Sequence, residues 1–131
     1  MCIRDRFYHR HVCRTVPTPQ DFLDSEAQVE IDPTVYHTMN GPNEFHVIGT
    51  LRNWSIIDRL PSITAPVLVV AGEFDEATPH TWQPYVEQIP DARSHVFADT
   101  SHCTHLEKPE KFRTVIADFL HQNDLAAAAR V

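Results

Sequence analysis

The spacing of apolar residues changes partway along this chain, and the change divides it into two kinds of sequence. Val67 to Ala71 are consecutive apolar residues bounded by Pro66 and Gly72. An unbroken run of this length predicts a strand buried on both faces, as in parallel sheets. Trp82, Tyr85, Val86 and Ile89 then recur at i, i+3, i+4 and i+7 behind Thr78-Pro79, which predicts an amphipathic helix. Pro84 interrupts that pattern and predicts a kink or a late helix start. Ser94 to Ala98 reads as a second, short strand. Phe112, Val115, Ile116, Phe119 and Leu120 form the cleanest helical face, opened by Pro109 with Glu110 in the first turn. His121 is expected near that helix's C-terminal end. Strand, helix, strand, helix is the alternation of a parallel sheet with crossover helices.

The first half reads differently. The aromatic and basic stretch Phe7 to Val16 suggests a short helix. Thr18-Pro19-Gln20-Asp21 has the form of an N-cap, a first-turn proline and an acidic first turn, predicting a helix to about Glu30. Asp32-Pro33 repeats the signal for a second helix over Thr34 to Met39. Asn40-Gly41-Pro42-Asn43 is a turn by composition. Glu44 to Leu51 alternates imperfectly, and Gly49 would weaken any strand there. Short helices rich in proline, followed by an α/β pattern, imply a lid or cap over the end of a sheet. The opening Met1 to Arg6 fits neither a helix start nor a strand and reads as a non-native leader, like translated adapter sequence. The expected organisation is therefore 1–6 leader, 7–60 end of a helical cap with the return to the core, and 61–131 α/β core segment. Ala126 to Ala129 is expected to fray.

Composition narrows the functional classes. Apolar content of 42%, charged content of 22% and a net charge of −7 are globular values, and they argue against nucleic-acid and polybasic membrane partners. No apolar run approaches the roughly 18–20 residues a membrane span requires. Cys2, Cys13 and Cys103 lack Cys-x-x-Cys spacing, so neither structural zinc nor a disulfide framework is expected, and a cytoplasmic setting is. Gly41, Gly49 and Gly72 are too scattered for a phosphate-binding glycine loop. No cofactor and no metal is expected; His102-x-x-His105 and His9-x-His11 are ordinary coincidences in a histidine-rich chain.

Chemistry concentrates in the two segments that follow the two strands. The first is Gly72-Glu73-Phe74-Asp75-Glu76-Ala77-Thr78-Pro79, and the second runs from Asp99-Thr100-Ser101-His102 to Pro109. In parallel α/β sheets, functional groups sit beyond the strands' carboxyl ends. An acid after one strand and a histidine after the next can meet if the strands are neighbours. The carboxylate would then hold the imidazole in one tautomer and stabilise its protonated form. His105 is the competing histidine.

Acid before histidine in the C-terminal part of the chain resembles the α/β-hydrolase superfamily, in which the serine comes first, the acid second and the histidine last. Met39-Asn40-Gly41-Pro42-Asn43-Glu44-Phe45, then Gly49, Trp54 and Gly72-Glu73-Phe74-Asp75-Glu76, resemble more narrowly the proline iminopeptidase family of serine aminopeptidases. The resemblance runs from about Phe7 to His121. It implies the C-terminal part of an α/β-hydrolase fold: the last two parallel strands with their helices, preceded by a helical cap segment. It also implies Asp75 as triad acid, His102 as triad base, and Glu44 with Glu76 as the binding site for a substrate's free amino terminus. Two carboxylates suit an α-ammonium, a point cation with three donors.

The resemblance implies short peptides or amino-acid amides as substrates; oligomeric state is not specified. No G-x-S-x-G occurs, because Ser25, Ser55, Ser62, Ser94 and Ser101 all lack the flanking glycines of a nucleophile elbow. The expectation is a segment of a longer hydrolase, inactive alone. An amino-acid amidase or esterase of the same fold is the alternative chemistry. A non-catalytic role through association at open strand edges is the alternative outside enzymology.

Overall fold

The computed structural model describes residues 3–43 and 45–128, with the side chains of 126–128 excepted. Contacts divide the chain into two compact units. The residues up to Val16 group with those from Arg59 onward, and Pro17–Asp58 forms the second.

The sheet lies in the first unit. Strand β1 (Val67–Gly72) pairs in parallel with β2 (Ala92–Phe97), in register from Val67 with Ala92 to Gly72 with Phe97. The Val67 N–H reaches the Asp91 carbonyl (2.8 Å) and the Glu73 N–H the Phe97 carbonyl (3.0 Å), extending the ladder at both ends. Parallel pairing requires a crossover. Helix α4 (Pro79–Gln88) supplies it and runs through Pro84 without a delayed start, since the Thr81 N–H already bonds the Thr78 carbonyl (2.8 Å). One missing donor inside a helix held by its neighbours does not end it. A one-turn helix α5 (Thr104–Glu107), absent from the sequence pattern, leads into α6 (Pro109–Ala128). Helix α6 continues past His121 and through Ala126, where a frayed end was expected. The buried apolar residues of this unit include Leu60 and Phe97, both fully buried, and Ala71 and Ile89. Phe97 stacks on Phe112 of α6 at 5.8 Å between centroids.

Two expectations need correction. Ile3 to Arg6 are helical, the opening of α1 (Ile3–His11), although Ile3 stays 91% exposed. Strand β1 is not buried on both faces: Val67 to Val70 are half-buried, and only Ala71 and Gly72 are enclosed. Double burial needs flanking strands and a layer on each face. Among the described residues the sheet has two strands, and Val96 of β2 is 48% exposed.

In the second unit, α2 (Gln20–Ile31) and α3 (Thr34–Met39) follow the proline signals closely. Pro19 precedes α2 at the cap position in place of Thr18. The Asp32 carboxylate accepts the Thr34 N–H (3.1 Å), which starts α3. Among the described residues of 45–51 no strand forms; Asn40 takes the N–H groups of Ile48 and Gly49 (3.0 Å each) on its carbonyl, and a 3-10 turn covers Thr50–Asn53. An apolar cavity of ≈ 530 Å³ lies in this unit, lined by residues including Val29, Val35, Tyr36, Met39 and Leu51.

Gly72 closes β1 where the two loops carrying candidate chemistry approach each other. A Cβ at this position would stand 2.3 Å from the Ser101 carbonyl oxygen and 2.6 Å from that of Thr100, both backbone atoms. Gly72→Ala is therefore expected to lower unfolding free energy by about 1–3 kcal/mol, the usual cost of overpacking. Urea denaturation monitored by fluorescence checks this; a wild-type midpoint and slope would contradict the close approach.

Candidate active site

The acid loop leaves β1 by a tight turn. The Asp75 N–H returns to the Gly72 carbonyl (3.2 Å), and the Phe74 N–H reaches across to the Thr100 carbonyl (2.9 Å). These bonds turn the Asp75 side chain inward, where it is only 5% exposed. Its Oδ2 accepts the Gly72 N–H (3.2 Å) and its Oδ1 the Ala77 N–H (2.8 Å). The same Oδ1 lies 2.9 Å from Nδ1 of His102.

The base loop leaves β2 through Asp99, which adopts φ 59°, a left-handed conformation that Asp tolerates better than most residues. The Asp99 N–H is held by the Glu73 carboxylate (2.8 Å), so the two loops are bonded beside the strand ends as well. Thr100 and Ser101 are fully buried, and the Thr100 hydroxyl donates to the Phe97 carbonyl (3.0 Å). His102 emerges from this buried pair with half its side chain exposed, one edge on Asp75 and the rest reachable by solvent.

Electrostatics follow from that geometry. Burial pushes the Asp75 carboxyl upward, but its bond to His102 and the Ala77 and Gly72 N–H groups outweigh burial and hold it below the usual 3.8. The Asp75 bond raises the His102 imidazole above its usual 6.5, against partial burial and with further help from the charges of Asp75 and Glu76. A buried acid that orients an imidazole and favours its cationic form is an arrangement chemically able to accept a proton from a nearby hydroxyl.

The other sequence candidates fall in different places. Glu76 is half-buried beside the acid, and its N–H bonds the His11 carbonyl (3.2 Å). Glu44 lies outside the described residues. His105 points elsewhere, packing edge-on against Phe112 at 5.9 Å between centroids. Ser101 directs its hydroxyl to the Glu107 carboxylate. Burial pushes the Cys103 thiol up to about 11, which makes it a poor nucleophile. Among the described residues, no group of three His, Cys, Asp or Glu side chains could hold a metal ion.

One part of the site, the segment His11–Arg14, carries no motif or periodicity that marks it. The His11 carbonyl accepts the N–H groups of both Glu76 (3.2 Å) and His102 (3.1 Å), and the Val12 carbonyl accepts that of Cys103 (2.8 Å). Nδ1 of His11 lies 2.8 Å from the Phe74 carbonyl. The Arg14 guanidinium sits over the Phe74 ring at 4.1 Å. The segment thus bridges acid loop and base loop.

This chain belongs to the alpha/beta hydrolase family, whose profile matches residues 3–115. Within that class it is similar to proline iminopeptidases and to VinJ. The crystal structure of a proline iminopeptidase from Mycobacterium smegmatis superposes with a TM-score of 0.90 at 76% identity, over 94% of this chain and 41% of that one. A curated proline iminopeptidase from Thermoplasma volcanium is 37% identical over 117 residues, 89% of this chain and 39% of that protein. The crystal structure of VinJ matches at TM-score 0.86 and 53% identity, over 91% of this chain and 40% of VinJ. The chain therefore spans about 40% of the length of these relatives. Its two-stranded parallel sheet and helices are consistent with the C-terminal part of the α/β-hydrolase fold. Among the described residues, no helix is long and apolar enough to cross a membrane.

The Asp75–His102 bond has a defined pH signature. The lowered Asp75 pKa contributes stability that is present above about 3.8 and lost as pH falls through the lowered value. The raised His102 pKa contributes stability that is full below about 6.5 and lost as pH rises through the raised value. In an NMR titration His102 is expected to protonate above 6.5, and Asp75→Asn to bring its midpoint back to 6.5 or below. An unmoved midpoint in Asp75→Asn would contradict the pairing.

Proposed function

We propose that this chain carries the acid and base of a serine aminopeptidase of the proline iminopeptidase type. The observation that carries this reading is the 2.9 Å contact between the buried Asp75 carboxylate and Nδ1 of His102. With Nδ1 committed to the acid, Nε2 is the basic nitrogen. It would take the proton of a serine hydroxyl during attack on the scissile carbonyl and return it to the leaving amine. The serine and the oxyanion hole come from outside these 131 residues, since no serine here has elbow glycines and Ser101 is buried against Glu107. The chain alone is accordingly inactive.

Glu76 and Glu44 would bind the substrate's free amino group, so that cleavage is confined to the first peptide bond and releases proline or another N-terminal residue. The position of Glu76, one residue beyond the acid, supports that role: a carboxylate there meets a cation close to the reacting carbonyl. Substrates would be short peptides or amino-acid amides, and the reaction needs no cofactor. The setting we propose is the cytoplasm. An amino-acid amidase using the same pair would keep the amino-group contact and differ in the leaving group, whereas an esterase would not require that contact.

Steady-state kinetics of the complete enzyme containing this segment test the reading. His102→Ala should lower kcat by at least about 10³-fold. Glu76→Gln should raise KM about 10-fold or more for a prolyl arylamide with a free amino group, the loss of one charge-assisted bond. It should leave the N-acetylated substrate unchanged. Equal effects on both substrates would remove the amino-group role, and turnover by the 131-residue chain alone would contradict the external nucleophile.

A further inference from the structure

We propose that Glu107 is a positioning residue for His102, acting through Ser101 and Arg14. Its half-buried carboxylate, on α5, is the acceptor at which the base loop and the His11–Arg14 segment meet. Oε2 accepts the Ser101 N–H at 3.1 Å. Oε1 accepts the Arg14 N–H at 3.1 Å together with the Ser101 hydroxyl. Three donors thus converge on one carboxylate, and Ser101 is fully buried, so water cannot replace its share without opening the loop.

The consequence reaches the imidazole by two routes. Ser101 immediately precedes His102, so the Glu107 bonds fix the peptide from which the imidazole projects. On the other side, Glu107 anchors Arg14. The same segment presents the His11 carbonyl to the N–H groups of both His102 and Glu76. The Arg14 side chain lies over Phe74, next to Asp75 in the acid loop. Removing the carboxylate leaves the buried Ser101 N–H and hydroxyl without their acceptor and takes away the Arg14 anchor of the segment that both loops hang from. A shift of the imidazole away from Asp75 of the order of 1 Å costs a reaction about 10²-fold.

This inference rests on the proposed triad role of His102, and the experiment separates the two. Glu107→Ala and Glu107→Gln are made both in the 131-residue chain and in the complete enzyme. Gln retains one acceptor oxygen for the Ser101 N–H, and its NH₂ can donate to the Ser101 hydroxyl, but it opposes the Arg14 N–H. In the complete enzyme, Ala should lower kcat about 10²-fold with KM within about 2-fold, and Gln should recover most of that loss. In the chain, the NMR midpoint of His102 should fall toward 6.5 in Ala and lie between Ala and wild type in Gln.

Where Ala does not fold, Gln alone decides, with a lowered midpoint expected. An unchanged His102 midpoint in the folded variants, or equal loss in Ala and Gln confined to KM, overturns the proposal. If the complete enzyme proves to lack aminopeptidase activity, the titration still reads the link from Glu107 to His102.

Discussion

A carboxylate that is 5% exposed must be given hydrogen bonds or a counter-charge, and Asp75 has hydrogen bonds throughout and a counter-charge whenever His102 is protonated. Two backbone N–H groups, from Gly72 and Ala77, satisfy it from its own loop, and His102 supplies the third contact. That requirement explains much of the local architecture. The loop must turn sharply enough for Asp75 to fold back on Gly72. Gly72 must lack a side chain so that Thr100 and Ser101 can pass against it. The two strands must be parallel neighbours in a register that ends both at one level, as Gly72 opposite Phe97 does.

A second constraint is the His11 carbonyl, one acceptor with two lone pairs and two N–H groups to satisfy. By bonding Glu76 and His102 together it makes the distance between acid loop and base loop a property of a third segment. With half its surface in solvent, the His102 imidazole depends on this backbone anchor as well as on its bond to Asp75. Positioning of this kind, on backbone groups held by strand ends and a helix terminus, is what the general-base role proposed for His102 would need.

Much of this was legible in the sequence where the signal is local. Asp32-Pro33 marks the start of α3, and its range Thr34–Met39 follows from the cap and the turn after it. The apolar run Val67 to Ala71 between Pro and Gly marks β1. Asp75 and His102 stand out because each follows a strand. What was not legible depends on partners distant in the chain. Burial of β1 is set by what flanks it, and a continuous apolar run cannot report missing neighbours. Arg14 and Glu107 are 93 residues apart and meet through a backbone N–H, which leaves no trace in residue type. Glu107, before Lys108 and Pro109, looks like any solvated charge. Ile3 to Arg6 form a helical turn with little apolar content, so no periodicity betrays it.

Bonded to the ionised Asp75, His102 is held in one tautomer, with the proton on Nδ1 and Nε2 left basic. Long-range ¹H–¹⁵N correlation spectra of the neutral imidazole read this directly, at a pH well above the His102 midpoint. The expected spectrum shows a protonated Nδ1 and an unprotonated Nε2 for His102. A neutral His102 carrying its proton on Nε2, the form free histidine prefers, would contradict it.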